Sequence, residues 1–566
     1  MDLPQSGQAA LFCSVLIFAF QALAAPEPSV IAEDQLQRAE QQQEALQRQL
    51  QPSSDSIHLS VPQADLPQSI SDEQCFPIED VVLKGDESLT DRSAITAILA
   101  RHNTDCLGPQ AIKSLMNKLQ NHYIEQGLVT TRVVAPPQDL NAGTLTLQIV
   151  AGKAGNIGRD PSAPEGDINL NTVVPLNKGD YLDIRALEQA LENLHRLSAA
   201  TASFSLHPTE DVGVSDIRVK WQQEKMWRLI LSANDSGADN TGKYQGNATL
   251  FIENPLQLSD VFYISKGRDL HTDSDTGSDN YSVHYSLPIG YWQFDLNSSR
   301  NDYEQSVAGL NGNVAYTGQS TRHSVDVTRV IRRTGTAKTS IRLGLTRRAS
   351  RNFVNGTEVG VQRRDTSYAQ LSLIHRQQIP VASQQLQLDT RISFRKGNRW
   401  FGAQPAPEET TGDATALSDI LLFSLYTNLP FQWGEQPLRW GSSFQAQWTD
   451  SKLTSQDRFT IGNRYTVRGF DGAVTLSADR GWFLQNELAM RLGETPAEAF
   501  VSLDMGEVSG RGSDELLGTR LAGASVGVKG SHKAFSYQFF IGTPLYKPEG
   551  FQARETSVGF TLNWEF

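Results

Sequence analysis

Val558-Gly559-Phe560-Thr561-Leu562-Asn563-Trp564-Glu565-Phe566 closes the chain. Side chains alternate across a strand, so Phe566, Trp564, Leu562, Phe560 and Val558 share one face and Glu565, Asn563, Thr561 and Gly559 share the other. One face suits lipid and the other water, the dyad expected of a strand in a transmembrane β-barrel. The same texture recurs upstream as far as Trp227, where Trp227, Leu229, Leu231 and Ala233 alternate with Arg228, Ile230, Ser232 and Asn234. Asn254-Pro255-Leu256 and Leu287-Pro288-Ile289-Gly290 read as turns between such segments, and residues 269–280, rich in Gly, Ser, Asp and Thr, read as a surface loop. About 340 residues at roughly 21 per strand plus connection predict about 16 antiparallel strands around a polar lumen. The sheet must close, because an open edge in lipid finds no water to satisfy it. A soluble sandwich or propeller competes with this reading, but no blade-length repeat of about 40 to 50 residues is visible.

Composition narrows the rest. The chain has 566 residues, of which 39% are hydrophobic, and a mean hydropathy of −0.37. No segment after residue 26 reaches the ~20 consecutive apolar residues of a membrane-spanning helix. Fifty Lys+Arg against 63 Asp+Glu give a formal net charge of −13, which argues against a nucleic-acid partner. Ten scattered histidines, no nucleophile motif and no metal-ligand spacing leave nothing from which to build an enzyme site, and no cofactor is expected.

Two smaller units precede the barrel. Residues 75–152 read as an α+β module: a strand at 76–83, a helix carrying Ile95, Ile98 and Leu99, and a second helix from Pro109 through Ile112, Leu115, Met116, Leu119 and Tyr123 to a stop at Gly127. Strands at 128–134 and 144–150 follow. Residues 153–222 repeat that order, with a helix on Ile184, Leu187, Ala190, Leu191 and Leu194 and strands at 202–207 and 214–221. His195, beside Arg196 at a helix end, reads as an exposed cap rather than an acid or base.

At the amino end, residues 1–25 carry a short apolar core and an Ala22-Leu23-Ala24 cleavage pattern, which reads as an export signal despite an n-region without Lys or Arg. Residues 26–51 predict a Gln- and Glu-rich helix with a thin apolar stripe, suited to a solvated spacer or a watery cavity. Residues 52–74, rich in Pro, Ser and Asp, read as a linker. With Cys13 lost in the signal, Cys75 and Cys106 remain as an even pair in an exported chain, where a disulfide persists.

The segment Ile461-Gly462-Asn463-Arg464-Tyr465-Thr466-Val467-Arg468-Gly469-Phe470-Asp471-Gly472, followed by Asp479-Arg480-Gly481-Trp482-Phe483-Leu484-Gln485-Asn486-Glu487-Leu488 and by Phe500-Val501-Ser502-Leu503-Asp504-Met505-Gly506-Glu507-Val508, strongly resembles the outer-membrane transporters of two-partner secretion, the haemolysin and filamentous-haemagglutinin exporter family. The resemblance extends to Cys75-Phe76-Pro77-Ile78 and Cys106-Leu107-Gly108, to the tandem modules, which look like polypeptide-transport-associated (POTRA) domains, and to the turn at 254–256. It implies the following: a loop bearing Val467, Arg468, Gly469 and Phe470 folds into the lumen and its Arg468 meets Asp504; residues 26–51 plug the barrel; and Cys75 bridges Cys106. It also implies that Phe560, Trp564 and Phe566 mark the strand recognised by the barrel-assembly machinery. The partners implied are one large secreted exoprotein of the haemolysin, adhesin or contact-dependent toxin class and outer-membrane lipid. No Gly-x-x-x-x-Gly-Lys-Ser/Thr phosphate cradle is present, so the expected export is not driven by nucleotide hydrolysis in this chain. A barrel-assembly factor of the same superfamily is the alternative.

Overall fold

A computed structural model describes Gln41 and residues 75–85, 89, 92–100, 106–163, 166–270, 276–309 and 312–566; the expected signal, plug helix and linker at 1–25, 26–51 and 52–74 lie outside them, Gln41 apart. None of the described helices is long and apolar enough to cross a membrane. Sixteen antiparallel strands, from Trp227–Asn234 to Ser557–Glu565, close into a barrel in which first and last pair with each other. The alternation read at the carboxyl end holds around the wall. On Glu498–Ser509, Val501, Leu503 and Met505 are exposed on the outside, whereas Phe500, Ser502 and Asp504 are buried toward the lumen.

The strands run longer than a dyad count of about ten residues. Gly312–Arg333 spans 22 residues and Trp292–Gly309 spans 18. Beyond the lipid the ladder continues in water, where polar residues satisfy it as well as apolar ones do, so strand there reads as loop in the sequence. Asp279 and Asn280, expected in a loop, pair with Arg268 and Gly267. Leu287 to Ile289, expected as a turn, belong to Gly277–Ile289, and the chain reverses one residue later, at Gly290 with φ +55°.

The first module is a three-stranded sheet, Asp80–Lys84 beside Thr144–Val150 beside Arg132–Val134, covered by helices Arg92–Ala100 and Pro109–Glu125. Ile112, Leu115, Leu119 and Tyr123 of the second helix pack on Leu145, Leu147 and Ile149. Its opening strand starts later than expected, because Pro77 cannot donate to a ladder and Phe76 instead forms an isolated bridge with Leu107. The strand expected from 128 begins at Arg132, because Gly127 turns the chain at φ +100° and Leu128 N–H bonds back to the Tyr123 carbonyl. Cys75 and Cys106 are bridged, with Cα atoms 5.3 Å apart across 31 residues. A loop of that length contributes about 3–4 kcal/mol in the chain-entropy account. Cys75→Ser is therefore expected to make the first module selectively sensitive to limited proteolysis while the barrel stays resistant, and equal sensitivity with and without the bridge would contradict this.

The second module orders Lys153–Arg159, Val214–Gln223 and Ala200–Pro208. Its helix Ile184–His195 turns Ala190 and Leu194 into a core with Val219 and Trp221. The opposite face is clamped to the barrel rim. Asn193 Nδ2 donates to Gly290 O at 2.8 Å, Ser259 Oγ donates to Asn193 O at 2.6 Å, and Arg333 reaches Glu188 at 3.2 Å and Glu192 at 2.6 Å. Lys338 also pairs with Glu192, and Arg196 donates to Ser286. One helix thus grips the turns after the second, fourth and sixth barrel strands. Burial alone would raise the Glu192 carboxyl, but Lys338 and Arg333 outweigh it and draw its pKa down to about 2. A folded-state pKa below the unfolded one contributes stability that is full above the unfolded value, near 4.5, and lost as pH falls toward 2. Acidification through that window should release the module from the rim, visible as faster proteolysis between residues 197 and 227, and Glu192→Gln should flatten the profile.

Candidate functional site: a loop anchored in the lumen

Between the eleventh strand, Gln436–Thr449, and the twelfth, Arg480–Arg491, the chain folds inward. A short hairpin of Phe459–Ile461 with Leu476–Ala478 carries the loop. Its apolar side is a small core of its own: Ile461, Val467, Phe470 and Leu476 pack with Phe483, Val508, Leu521 and Phe551 of the wall and far-side loops. Phe470 meets Phe551 edge-on, with centroids 6.0 Å apart. Val467 and Phe470 therefore hold the loop by burial.

Arg468 holds it by charge. Its Nε donates to Asp504 Oδ2 at 2.7 Å and its Nη2 to Asp504 Oδ1 at 2.9 Å, the bidentate fork that suits guanidinium and carboxylate. The Arg468 backbone N–H adds a third bond to Asp504 Oδ2 at 2.9 Å. Asp504 is fully buried in this pairing. A second carboxylate, Glu487, takes Arg468 Nη1 at 3.0 Å and is itself held by Arg439 at 3.2 Å and by Lys529. Arg439 also reaches Glu498 at 2.7 Å. Three cations and three anions form one chain of contacts from the loop to Glu498 at the start of its strand on the module-side rim.

Close approach of backbones completes the site. Gly469 has φ +111°, and a Cβ there would lie 2.5 Å from the Thr543 carbonyl oxygen. Opposite it the wall is also bare: a Cβ on Gly542 would lie 2.9 Å from Gly469 Cα, and one on Gly523 would collide with the Arg468 carbonyl. Two wall glycines thus make a slot for a third. At the base of the loop Asn463 Nδ2 donates to Gln41 Oε1 at 2.7 Å.

The expected residues therefore fall into three places. Val467, Arg468, Gly469, Phe470 and Asp504 converge in the lumen, Cys75 and Cys106 meet far away in the first module, and Phe560, Trp564 and Phe566 lie on the outer face of the last strand. Trp564 stacks on Phe566 at 5.9 Å, and Phe566 exchanges backbone hydrogen bonds with Leu229 of the first strand. Sequence reasoning missed Glu487, Arg439 and the glycine slot. Glu487 stands within the segment 479–488 that carries the resemblance, but nothing in the sequence assigned it as a partner of Arg468.

Comparison with known proteins then gives the following. The profile of the haemolysin secretion/activation protein family ShlB/FhaC/HecB matches residues 213–530. A ShlB-type POTRA profile matches 76–152 and a further POTRA profile matches 153–208. The chain is 31% identical to the outer membrane transporter CdiB-2 of Burkholderia pseudomallei over 94% of each chain. It is 27% identical to the haemolysin transporter ShlB of Serratia marcescens over 78% of this chain and 77% of that one. Among solved structures, CdiB from Acinetobacter baumannii is 28% identical with a TM-score of 0.76, covering 95% of this chain and 98% of that one. CdiB from Escherichia coli reaches 0.81 at 24% identity over 96% and 100%, a likeness of fold.

Proposed function

The chain belongs to the ShlB/FhaC/HecB family of haemolysin secretion/activation proteins, and from that premise we propose that it recognises one large exoprotein in the periplasm through its POTRA modules and passes it unfolded through the barrel without ATP. It is an outer-membrane transporter of two-partner secretion, not an enzyme. The observation that carries the finer reading is the loop: it lies in the lumen on non-covalent anchors, so it can withdraw and reseat without breaking the wall. Gln41, within the segment read as a plug, contacts that same loop, which supports a shared gate.

Recognition follows from sheet edges. Ala200–Pro208 is a nine-residue edge strand of the second module, and an extended client segment can add to such an edge through main-chain hydrogen bonds with little demand on its side chains. The helix Ile184–His195 borders no open groove on its outer side, because the barrel rim occupies it. Folding of the client outside then disfavours its return.

The test is the culture-supernatant profile of the source bacterium with and without this gene. Loss of one very large protein, restored by the intact gene and not by Arg468→Ala, is expected. An unchanged supernatant with altered levels of many outer-membrane proteins would favour the assembly-factor reading. Transport by the purified protein in nucleotide-free proteoliposomes tests the energy source. Proline at Leu206, whose N–H faces away from Val214–Gln223, is expected to weaken client binding about tenfold; unchanged binding would reject strand addition. Deleting Phe566 removes the last rung of the first–last seam and should lower the amount of protein reaching the membrane; normal membrane levels would contradict its role in assembly.

A further inference from the structure

The first and last barrel strands share less ladder than their neighbours do. Trp227–Asn234 pairs with the second strand over eight residues, and Ser557–Glu565 pairs with the fifteenth over eight. With each other they pair over five, from Ile230 opposite Glu565 to Asn234 opposite Thr561. At the next position, Asp235 opposite Phe560, side chains take over from backbone. Asp235 Oδ1 accepts the Phe560 N–H at 2.8 Å, where a ladder would offer a carbonyl oxygen. The same oxygen accepts Arg464 Nη1 at 2.7 Å, and Arg464 Nη2 reaches back to the Phe560 carbonyl at 3.5 Å. The guanidinium also lies 5.1 Å from the Phe540 ring centroid. The pair is well enclosed: the Asp235 side chain is 4% exposed and that of Arg464 17%. Beside it a cavity of about 450 Å³ opens among Asp235, Asp239, Phe470, Phe540, Val558 and Arg554.

Arg464 is not part of the wall. It stands four residues before Arg468 on the lumen loop, so the loop holds two separate stretches of barrel at once: Arg468 on the twelfth and thirteenth strands, Arg464 on the first and last. We propose that Arg464 and Asp235 are a side-chain staple completing the extracellular half of the first–last seam, so that closure of the barrel there depends on the loop being seated. The physical need is plain. Backbone groups at a barrel edge must find partners inside the protein. A charged pair supplies a donor and an acceptor at the register position where the ladder stops. When the loop withdraws, the Phe560 carbonyl loses Arg464 and the Asp235 carboxylate loses its counter-charge, and the seam is free to part beside the cavity. This inference concerns closure of the barrel and stands without the export reading.

Hydrogen exchange of the full-length protein in phospholipid nanodiscs tests it. In Arg464→Ala, amides in 557–566 and 227–234 are expected to exchange about tenfold faster or more, with 337–354 unchanged as an internal control that the barrel has folded. Arg464→Lys, which keeps the charge, should recover part of the protection, and Asp235→Asn, which keeps an acceptor for Phe560 N–H but not the charge, should fall between. Faster exchange confined to 459–478, with the seam at wild-type protection, would show that Arg464 steadies only the loop and would overturn the staple. Should Arg464→Ala also expose 337–354, the two conservative variants decide by the same ratio of seam to control, and a ratio matching wild type in both refutes the proposal.

Discussion

Arg468→Ala is expected to reduce export of the client by about two to three orders of magnitude, with the folded barrel present in the membrane at ordinary levels. The size follows from what is left behind. Asp504 is fully buried and takes three hydrogen bonds from Arg468, one of them from its backbone. Removing one partner of a buried pair costs about 3–5 kcal/mol, because the other charge stays desolvated. At about 1.4 kcal/mol per decade this moves the loop from almost always seated to seldom seated. Arg468→Lys should recover little, because an ammonium cannot fill both Asp504 oxygens and Glu487 with one planar fork. A plain charge swap between 468 and 504 is a poor test here, since a glutamate at 468 would face Glu487. The informative comparison is Arg468→Ala with Asp504→Ala: the double variant should be no worse than Asp504→Ala alone, as members of one contact do not add. Client in the supernatant is the measurement, with heat-modifiable mobility as the folding control. Wild-type export by Arg468→Ala would end the anchor idea.

Gly469→Val carries the second large effect. Its backbone sits at φ +111°, a region β-branched residues avoid, and its Cβ would press on the Thr543 carbonyl. The loop cannot shift to relieve this without lifting Arg468 from Asp504, so export should fall as far as in Arg468→Ala. The sharper expectation is that Gly523→Val or Gly542→Val, on the wall and far from the motif in sequence, reproduces the same defect. Planar-bilayer recordings give an independent reading, because an unseated loop should raise conductance and its fluctuations in all three variants. Normal export and conductance in Gly523→Val would mean that the slot is not needed.

How much of this could be read beforehand depends on the range of the interaction. Alternation at Val558 to Phe566, helical spacing at Ile112 to Tyr123 and the Cys75–Cys106 pairing are local or compositional, and they located the barrel, the modules and the bridge. Strand ends were misplaced wherever polar residues continue a ladder into water, as at Asp279 and Asn280. The pairing of Arg468 with Asp504 was accessible through resemblance to a family, not through spacing. Contacts between distant faces left no periodic trace. Arg333 reaches Glu188 across 145 residues and Arg464 reaches Asp235 across 229. The glycines at 523 and 542 looked like any strand glycines, since their function is the absence of a side chain opposite another backbone.

The seam that joins Ile230–Asn234 to Thr561–Glu565 also sets an order of events in biogenesis. Its partners lie 327 to 335 residues apart, Asn234 with Thr561 and Ile230 with Glu565, and bringing such ends together costs about 5 kcal/mol in the loop-closure estimate. No hairpin can nucleate it. Every other wall pairing forms between neighbours in the chain and can zip locally, so the barrel passes through a fifteen-hairpin sheet with both outer edges unpaired until the final strand arrives. The lumen loop needs the first, thirteenth, fifteenth and last strands together before Arg464, Arg468 and Gly469 have anything to grip. Seating the loop and closing the extracellular half of the seam are therefore one coupled last step, and a barrel whose loop is in place is, by that fact, closed.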